Sequence, residues 1–226
     1  MSGRILLVRH GQTFSNVERL LDTRPPGAEL TERGRDQATE VGRELAELTA
    51  GRKVRFYCSV ALRAQQTAML AAASFAEATD QFRVPVEVKA GLHEIFAGDF
   101  EMDGSEEAHR SYMVALRGWI DGDAAACMEG GETYSDVLAR YQPVVEEIAA
   151  ELGDDDDAVI VSHGAAIRVV SRHATGIDAD FAYTGYMPNG RFTLMEPGGK
   201  PFGQWTLKRW ADTDIDEASG VAPTMY

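Results

Sequence analysis

Two histidines stand in matching local settings: His10 in Leu6-Leu7-Val8-Arg9-His10-Gly11-Gln12-Thr13, and His163 in Val159-Ile160-Val161-Ser162-His163-Gly164. Each follows an apolar, partly β-branched run and precedes a glycine, the pattern of a buried strand ending in a permissive loop. An imidazole at such a strand end can attack phosphorus or hold a phosphoryl oxygen. Arg9 adds a guanidinium able to take two oxygens of one phosphate through paired hydrogen bonds, and Asn16 adds a neutral donor. A third cluster, Ser59 to Ala68, puts Arg63 in the first turn of an expected helix. A cation there opposes the helix dipole, so its placement points to another task, such as holding an anion at that N-terminus. A lone histidine at a strand end is ordinarily structural. Two at matching junctions, with two arginines, describe a phosphate pocket.

Such a pocket needs elements that bring its parts together. Apolar stretches predict strands at Arg4 to Val8, Val54 to Cys58, Val84 to Val88 and Ala158 to Val161, with final strands at Arg191 to Met195 and Trp205 to Leu207. Helical spacing and caps predict helices over about 31 to 50, capped by Thr31, over 61 to 78 and 105 to 120, from Thr133 or Ser135 to Leu152, and over 165 to 175. Strands alternating with helices predict an α/β fold: a three-layer αβα sandwich with a mainly parallel central sheet and helices on both faces, whose ligand site lies at the carboxyl ends of the strands. His10, Ser59, Glu94 and His163 all fall just beyond predicted strand ends. With 226 residues, of which 44% are hydrophobic, the expectation is one domain spanning 1–226, with a loose tail from about 211.

The charge balance narrows the partners. Lys and Arg number 22 against 36 Asp and Glu, a net charge of −14, which disfavours nucleic-acid binding. A phosphate site must then be a local island of positive charge. No apolar run is long enough to span a membrane and no signal-peptide pattern opens the chain, so a cytoplasmic protein without membrane partners is expected. Cys58 and Cys127 are far apart and outside any CxxC, which suggests free thiols and neither a disulfide framework nor a cysteine zinc site. His93-Glu94 resembles the opening of an HExxH zinc motif, but position 97 is Ala, so no metal is expected; no nucleotide-binding glycine fingerprint occurs, so no cofactor is expected either. His93 suits a structural or solvated role, and His109 and His173 suit the surface.

Taken in order, Arg9-His10-Gly11-Gln12-Thr13 with Asn16, Leu30-Thr31 through Gly34, Gln37-Ala38, Ser59 through Arg63, Gln66-Thr67-Ala68, Glu94 before Gly98, Gly130-Gly131-Glu132 and Val161-Ser162-His163-Gly164 resemble the histidine phosphatase superfamily, or phosphoglycerate mutase-like fold. The resemblance runs from about Arg4 to Trp210. It implies that His10 attacks phosphorus and becomes phosphohistidine, that Arg9, Arg63 and His163 hold the equatorial oxygens, and that Asn16 joins them, with Thr13 and Gly164 as further phosphate contacts. It also implies that Glu94 protonates the leaving oxygen and later activates water. Phe14, Arg19, Leu21 and Arg24 are expected in the wall of the substrate pocket.

The superfamily contains both phosphatases and cofactor-dependent phosphoglycerate mutases. Mutases follow the catalytic glutamate with an Arg-His-Tyr-Gly type segment and carry paired arginines before a proline-rich loop. Here Ile95-Phe96-Ala97-Gly98 follows Glu94, and Ser105 to Ala126 holds only Arg110 and Arg117 and no proline. The resemblance therefore implies a metal-independent phosphatase acting on a small phosphorylated metabolite, more readily than on a phosphoprotein, in a chain that could form a homodimer. The alternatives are a mutase and a catalytically silent phosphate-binding protein. The chain also departs from the common pattern at Met102, where a glycine often stands, and at Thr23-Arg24-Pro25-Pro26.

Overall fold

Strand β1 (Arg4–Arg9) sends Ile5 and Leu7 to one side and Leu6 and Val8 to the other, and all four are fully buried. β4 (Asp156–Ser162) repeats the pattern with Ala158 and Ile160 against Val159 and Val161. A strand apolar on both faces has to lie inside a sheet covered on both sides. The computed structural model, which describes residues 3–215, has that arrangement. Seven strands run in the order β3-β2-β4-β1-β5-β6-β7. β2 (Lys53–Ser59), β3 (Val86–Lys89), β4 and β1 pair in parallel, while β5 (Phe192–Glu196), β6 (Thr206–Trp210) and β7 (Thr213–Asp214) continue the sheet antiparallel.

Helices α2 (Glu32–Leu48) and α3 (Leu62–Ala78) cover one face, where Val41, Leu45, Ala68 and Phe75 meet Leu6, Val8 and Val161. α4 (Glu106–Asp121), α5 (Tyr134–Ala150), α6 (Gly164–Thr175) and α7 (Ala179–Thr184) cover the other, where Trp119, Tyr141 and Ile167 meet Ile5, Leu7 and Ile160. This is the expected three-layer α/β architecture with a mainly parallel centre. Thr31, Ser105 and Thr133 cap α2, α4 and α5 as their side chains suggest, each accepting from a backbone N–H in the first turn.

The differences lie in short elements. The third strand begins at Val86 rather than Val84. The five-residue helix α1 (Phe14–Glu18), α7 and a 3-10 turn at Gly98–Phe100 are too short for a periodic pattern to mark them. Residues 211–215, placed by the sequence in a tail, include β7, and Ala211 is buried; the rest of that stretch lies outside the described residues.

The strand order makes the site. β1 and β4 are parallel neighbours with Arg9 opposite Ser162, and the His10 N–H donates to the Ser162 carbonyl at 3.0 Å. His10 and His163 therefore leave adjacent strands at one level. From there the chain after β1 reaches α2 on one face and the chain after β4 enters α6 on the other, which opens a crevice at their carboxyl ends.

Candidate active site

His10 is only 4% exposed, and its Nδ1 lies 2.7 Å from the Gly11 carbonyl. A carbonyl can only accept, so Nδ1 carries the proton and Nε2 keeps its lone pair. Burial pushes the imidazole pKa well below its ordinary 6.5, and Arg63 and Arg9 push it further, against the Gly11 carbonyl. The ring is therefore neutral. The turn behind it is tightly packed: a side chain at Gly11 would meet the Gly34 carbonyl oxygen at 2.2 Å, and the Gly11 N–H donates to Thr67 Oγ1 at 3.0 Å. Gln37 and Gln66 brace the same loop through the backbone N–H groups of Gln12 and Leu30.

His163 is fully buried, with its ring centroid 5.2 Å from that of His10. Its Nδ1 faces Arg63 Nε at 3.3 Å and its Nε2 faces Ser59 Oγ at 2.9 Å. A guanidinium only donates, so in this arrangement Nδ1 accepts and Nε2 donates to the serine. Burial, with Arg63 next, holds this ring neutral as well.

The two arginines are poorly satisfied. Arg9 gives Nη1 to the Met187 carbonyl at 2.6 Å and to the Tyr186 hydroxyl at 3.1 Å, but its Nε is buried without a hydrogen-bond partner. Arg63, 2% exposed, likewise has a buried Nη1 with no hydrogen bond, and the nearest carboxylate oxygen, Asp22 Oδ1, is 3.5 Å away. Each unsatisfied buried donor costs about 1–3 kcal/mol. Two on cationic groups in one crevice give it the donors and charge that suit an anion.

Asn16 and Thr13 form a capping box on α1: Thr13 Oγ1 accepts the Asn16 N–H, and Asn16 Oδ1 accepts the Thr13 N–H. Asn16 Oδ1 also accepts from Asn189, whose amide donates to the His10 carbonyl at 2.9 Å. With its oxygen engaged, Asn16 offers its amide N–H group to the crevice. Thr13 is fully buried and its hydroxyl serves the helix cap.

Glu94 reaches the crevice from the loop after β3. Its Oε1 accepts from the N–H groups of Ile95 (2.9 Å) and Ala166 (3.0 Å), and Oε2 from Ala165 at 3.2 Å. Oε2, with one long bond, is the oxygen available to a ligand. Arg140 holds this loop by donating to the carbonyls of Gly91, His93 and Glu94 while gripping Glu132, whose carboxylate also takes the Phe96 N–H.

Arg9, His10, Thr13, Asn16, Arg63, Glu94 and Gly164 line one cavity of about 540 Å3, so the sequence brings these seven expected residues together. Arg19 and Leu21 line it as well. Phe14, Arg24 and the fully buried His163 do not; His163 lies behind the cavity wall, reaching it through Arg63. Phe14 begins α1 on its outer side and is 52% exposed, and the Arg24 guanidinium sits over the Phe96 ring, 5.5 Å from its centroid. His93 stacks on Phe96, and burial pushes its pKa down to about 4. The two expected surface histidines are both engaged: His109 bonds the Arg19 carbonyl at the cavity wall, and His173 bonds the Trp119 carbonyl beside the Tyr134 ring.

Asp22, Tyr112, Arg168, Tyr186 and Asn189 line the cavity too, although the sequence motifs did not place them there. Arg168 had a signal, being a lone charge within the apolar run Ala165 to Val170; its guanidinium bonds the carbonyls of Ala182 and Tyr183. Pro188-Asn189-Gly190 carried a turn signal.

Comparison with known proteins agrees with this geometry. The sequence profile of the histidine phosphatase superfamily (branch 1) matches residues 5–213. The chain belongs to that superfamily. Among curated relatives, a glucosyl-3-phosphoglycerate phosphatase of Mycolicibacterium vanbaalenii is 28% identical over 92% of this chain and 93% of its own length. A 2,3-bisphosphoglycerate-dependent phosphoglycerate mutase of Streptococcus pneumoniae is 30% identical over 82% and 90%. Among solved structures, a mycobacterial glucosyl-3-phosphoglycerate phosphatase in complex with VO3 superposes with a TM-score of 0.72 at 27% identity, covering 92% of this chain and 98% of that one.

Proposed function

We propose that this superfamily member is a metal-independent phosphomonoesterase working through a phosphohistidine on His10. The observation that carries the reading is the neutral His10, with its Nε2 lone pair in a crevice where Arg9 and Arg63 hold unsatisfied buried N–H groups. In the first step Nε2 bonds phosphorus while the bond to the leaving oxygen breaks, and Glu94 Oε2 delivers the proton that oxygen needs. In the second, Glu94 takes a proton from water, the new oxygen bonds phosphorus, and the bond to His10 breaks. Arg9, Arg63, Asn16 and the α6 N-terminus at Gly164 neutralise the equatorial oxygens. When the phosphate draws Arg63 away, His163 can carry its proton on Nδ1 toward an oxygen, with the Ser59 hydroxyl turning to donate to Nε2.

The substrate class is a small phosphorylated metabolite, since a cleft of about 540 Å3 lined by Tyr112, Met113, Tyr183 and Arg168 suits a compact leaving group. Such a substrate fits a cytoplasmic enzyme. Hydrolysis is favoured over mutase transfer because neither Arg110 nor Arg117 lines the cavity, and of the further arginines that do, Arg168 is bonded to the carbonyls of Ala182 and Tyr183 and Arg19 is exposed. Ile95 and Ala97, after Glu94, are fully buried. A mutase needs extra cations to recapture its intermediate.

The test is p-nitrophenyl phosphate turnover with chelator present, vanadate inhibition, and a panel of sugar phosphates and phosphoglycerates, glucosyl-3-phosphoglycerate among them, read for phosphate release beside a mutase assay. Chelator-insensitive release is expected. Interconversion of phosphoglycerates without release, or loss of activity to chelator, would overturn the proposal. Sedimentation of the same preparation tests the expected homodimer.

A further inference from the structure

Asp22 is an acid in a pocket made for an anion. Its side chain is 6% exposed, it lines the cavity, and its Oδ1 lies 3.5 Å from Arg63 Nη1, an ion pair without a hydrogen bond. The other oxygen is fixed: Oδ2 accepts from the Ser15 hydroxyl at 2.8 Å and the Ala28 N–H at 2.7 Å. The carboxylate therefore cannot swing away. The loop closed by Asp22 and Ala28 also packs on the Arg63 guanidinium: a side chain at Gly27 would meet Arg63 Nη1 at 2.1 Å. Of the charges acting on Arg63, Asp22 is the largest, stabilising the cation against the cost of burial.

We propose that Asp22 is a positioning residue that holds Arg63 and at the same time competes with phosphate for it, so that the pocket binds inorganic phosphate weakly enough to release it each turnover. The inference rests on the phosphatase reading. Two arginines, the α6 N-terminus and neutral histidines with no counter-charge would retain a dianionic product. A fixed carboxylate beside one arginine lowers that affinity without removing the donor from the reaction. Glu94, the other acid in the cavity, acts on Arg63 less strongly than Asp22 does, and its oxygens are bonded to the N–H groups of Ile95, Ala165 and Ala166.

Asp22→Asn keeps both an acceptor for the Ser15 and Ala28 bonds and the side-chain volume, and removes only the charge. Inhibition by inorganic phosphate and by vanadate should tighten about tenfold. KM for p-nitrophenyl phosphate should fall, and kcat should fall with it as product release slows. A merely structural Asp22 would give the opposite sign, with weaker phosphate binding and a higher KM. Asp22→Ser, also neutral, provides the same readout should the asparagine variant fold poorly. Unchanged or weaker phosphate inhibition in a folded neutral variant would overturn the proposal. Failure of the phosphatase reading would instead show as a wild-type protein that releases no phosphate.

Discussion

At the scale of single residues, the division of labour follows from which atoms are already bonded. His10 Nδ1 is committed to a carbonyl, so only Nε2 can attack. Glu94 Oε1 is committed to two backbone N–H groups, so the proton traffic falls to Oε2. Glu94→Gln keeps the shape and removes the acid. It should slow hydrolysis of alkyl phosphates by about 10²-fold or more while affecting p-nitrophenyl phosphate much less, because a nitrophenolate leaves with little protonation. Equal losses on the two substrates would take Glu94 out of the acid role. His10, Arg9, Arg63 and His163 were legible because chemistry restricts which residues can sit in strand-to-helix turns. Asp22 was not, since an aspartate in a loop has no period to betray it and its meaning comes only from the arginine it faces across 3.5 Å.

Among the elements, the long ones could be read from spacing and the short ones could not. α2, whose seventeen residues bury Ala38, Val41 and Leu45, carries a sustained apolar stripe; α1, with five residues, is set by the Thr13–Asn16 capping box rather than by any pattern. That is also why Phe14 was misplaced in the pocket wall. The glutamate loop shows how elements fix chemistry from a distance. Thr23 and Arg24 donate their N–H groups to Glu101, and the Met102 N–H bonds the Leu21 carbonyl, so the loop after β1 and the loop carrying Glu94 are tied together. Met102 has φ of 63°, a left-handed conformation that strains a side-chain-bearing residue and explains why a glycine is common there. Met102→Gly should raise unfolding stability by about 1 kcal/mol with activity retained; a loss of stability in denaturant titration would contradict this.

For the molecule as a whole, the sheet order decides that two remote segments form one pocket, and this was the part of the fold least visible in sequence. Alternation of strands and helices predicts a parallel sheet, but only the placement of β4 beside β1 puts His163 within reach of His10. Burying those rings has a global consequence. His10, His163, His93 and His173 all have pKa values lowered from 6.5, with burial the first cause in each. A depressed folded-state value means the unfolded chain binds more protons, so stability is full above about pH 6.5 and declines as pH falls below it. The melting temperature should therefore drop between pH 7 and pH 5, a range in which ordinary carboxylates scarcely titrate. A melting temperature that stayed flat or rose over that interval would mean the imidazoles are not held neutral.

The account stands on His10 as the nucleophile. The direct measurement is rapid mixing with a phosphomonoester, quenching in alkali to preserve the phosphoramidate bond, and peptide mass spectrometry of the Val8-to-Thr13 region. Phosphate on His10, formed and lost at rates compatible with turnover and absent together with all turnover in His10→Ala, is the predicted result. Full turnover in His10→Ala, or a wild-type protein that hydrolyses its substrate with no phosphate passing through His10, would contradict it.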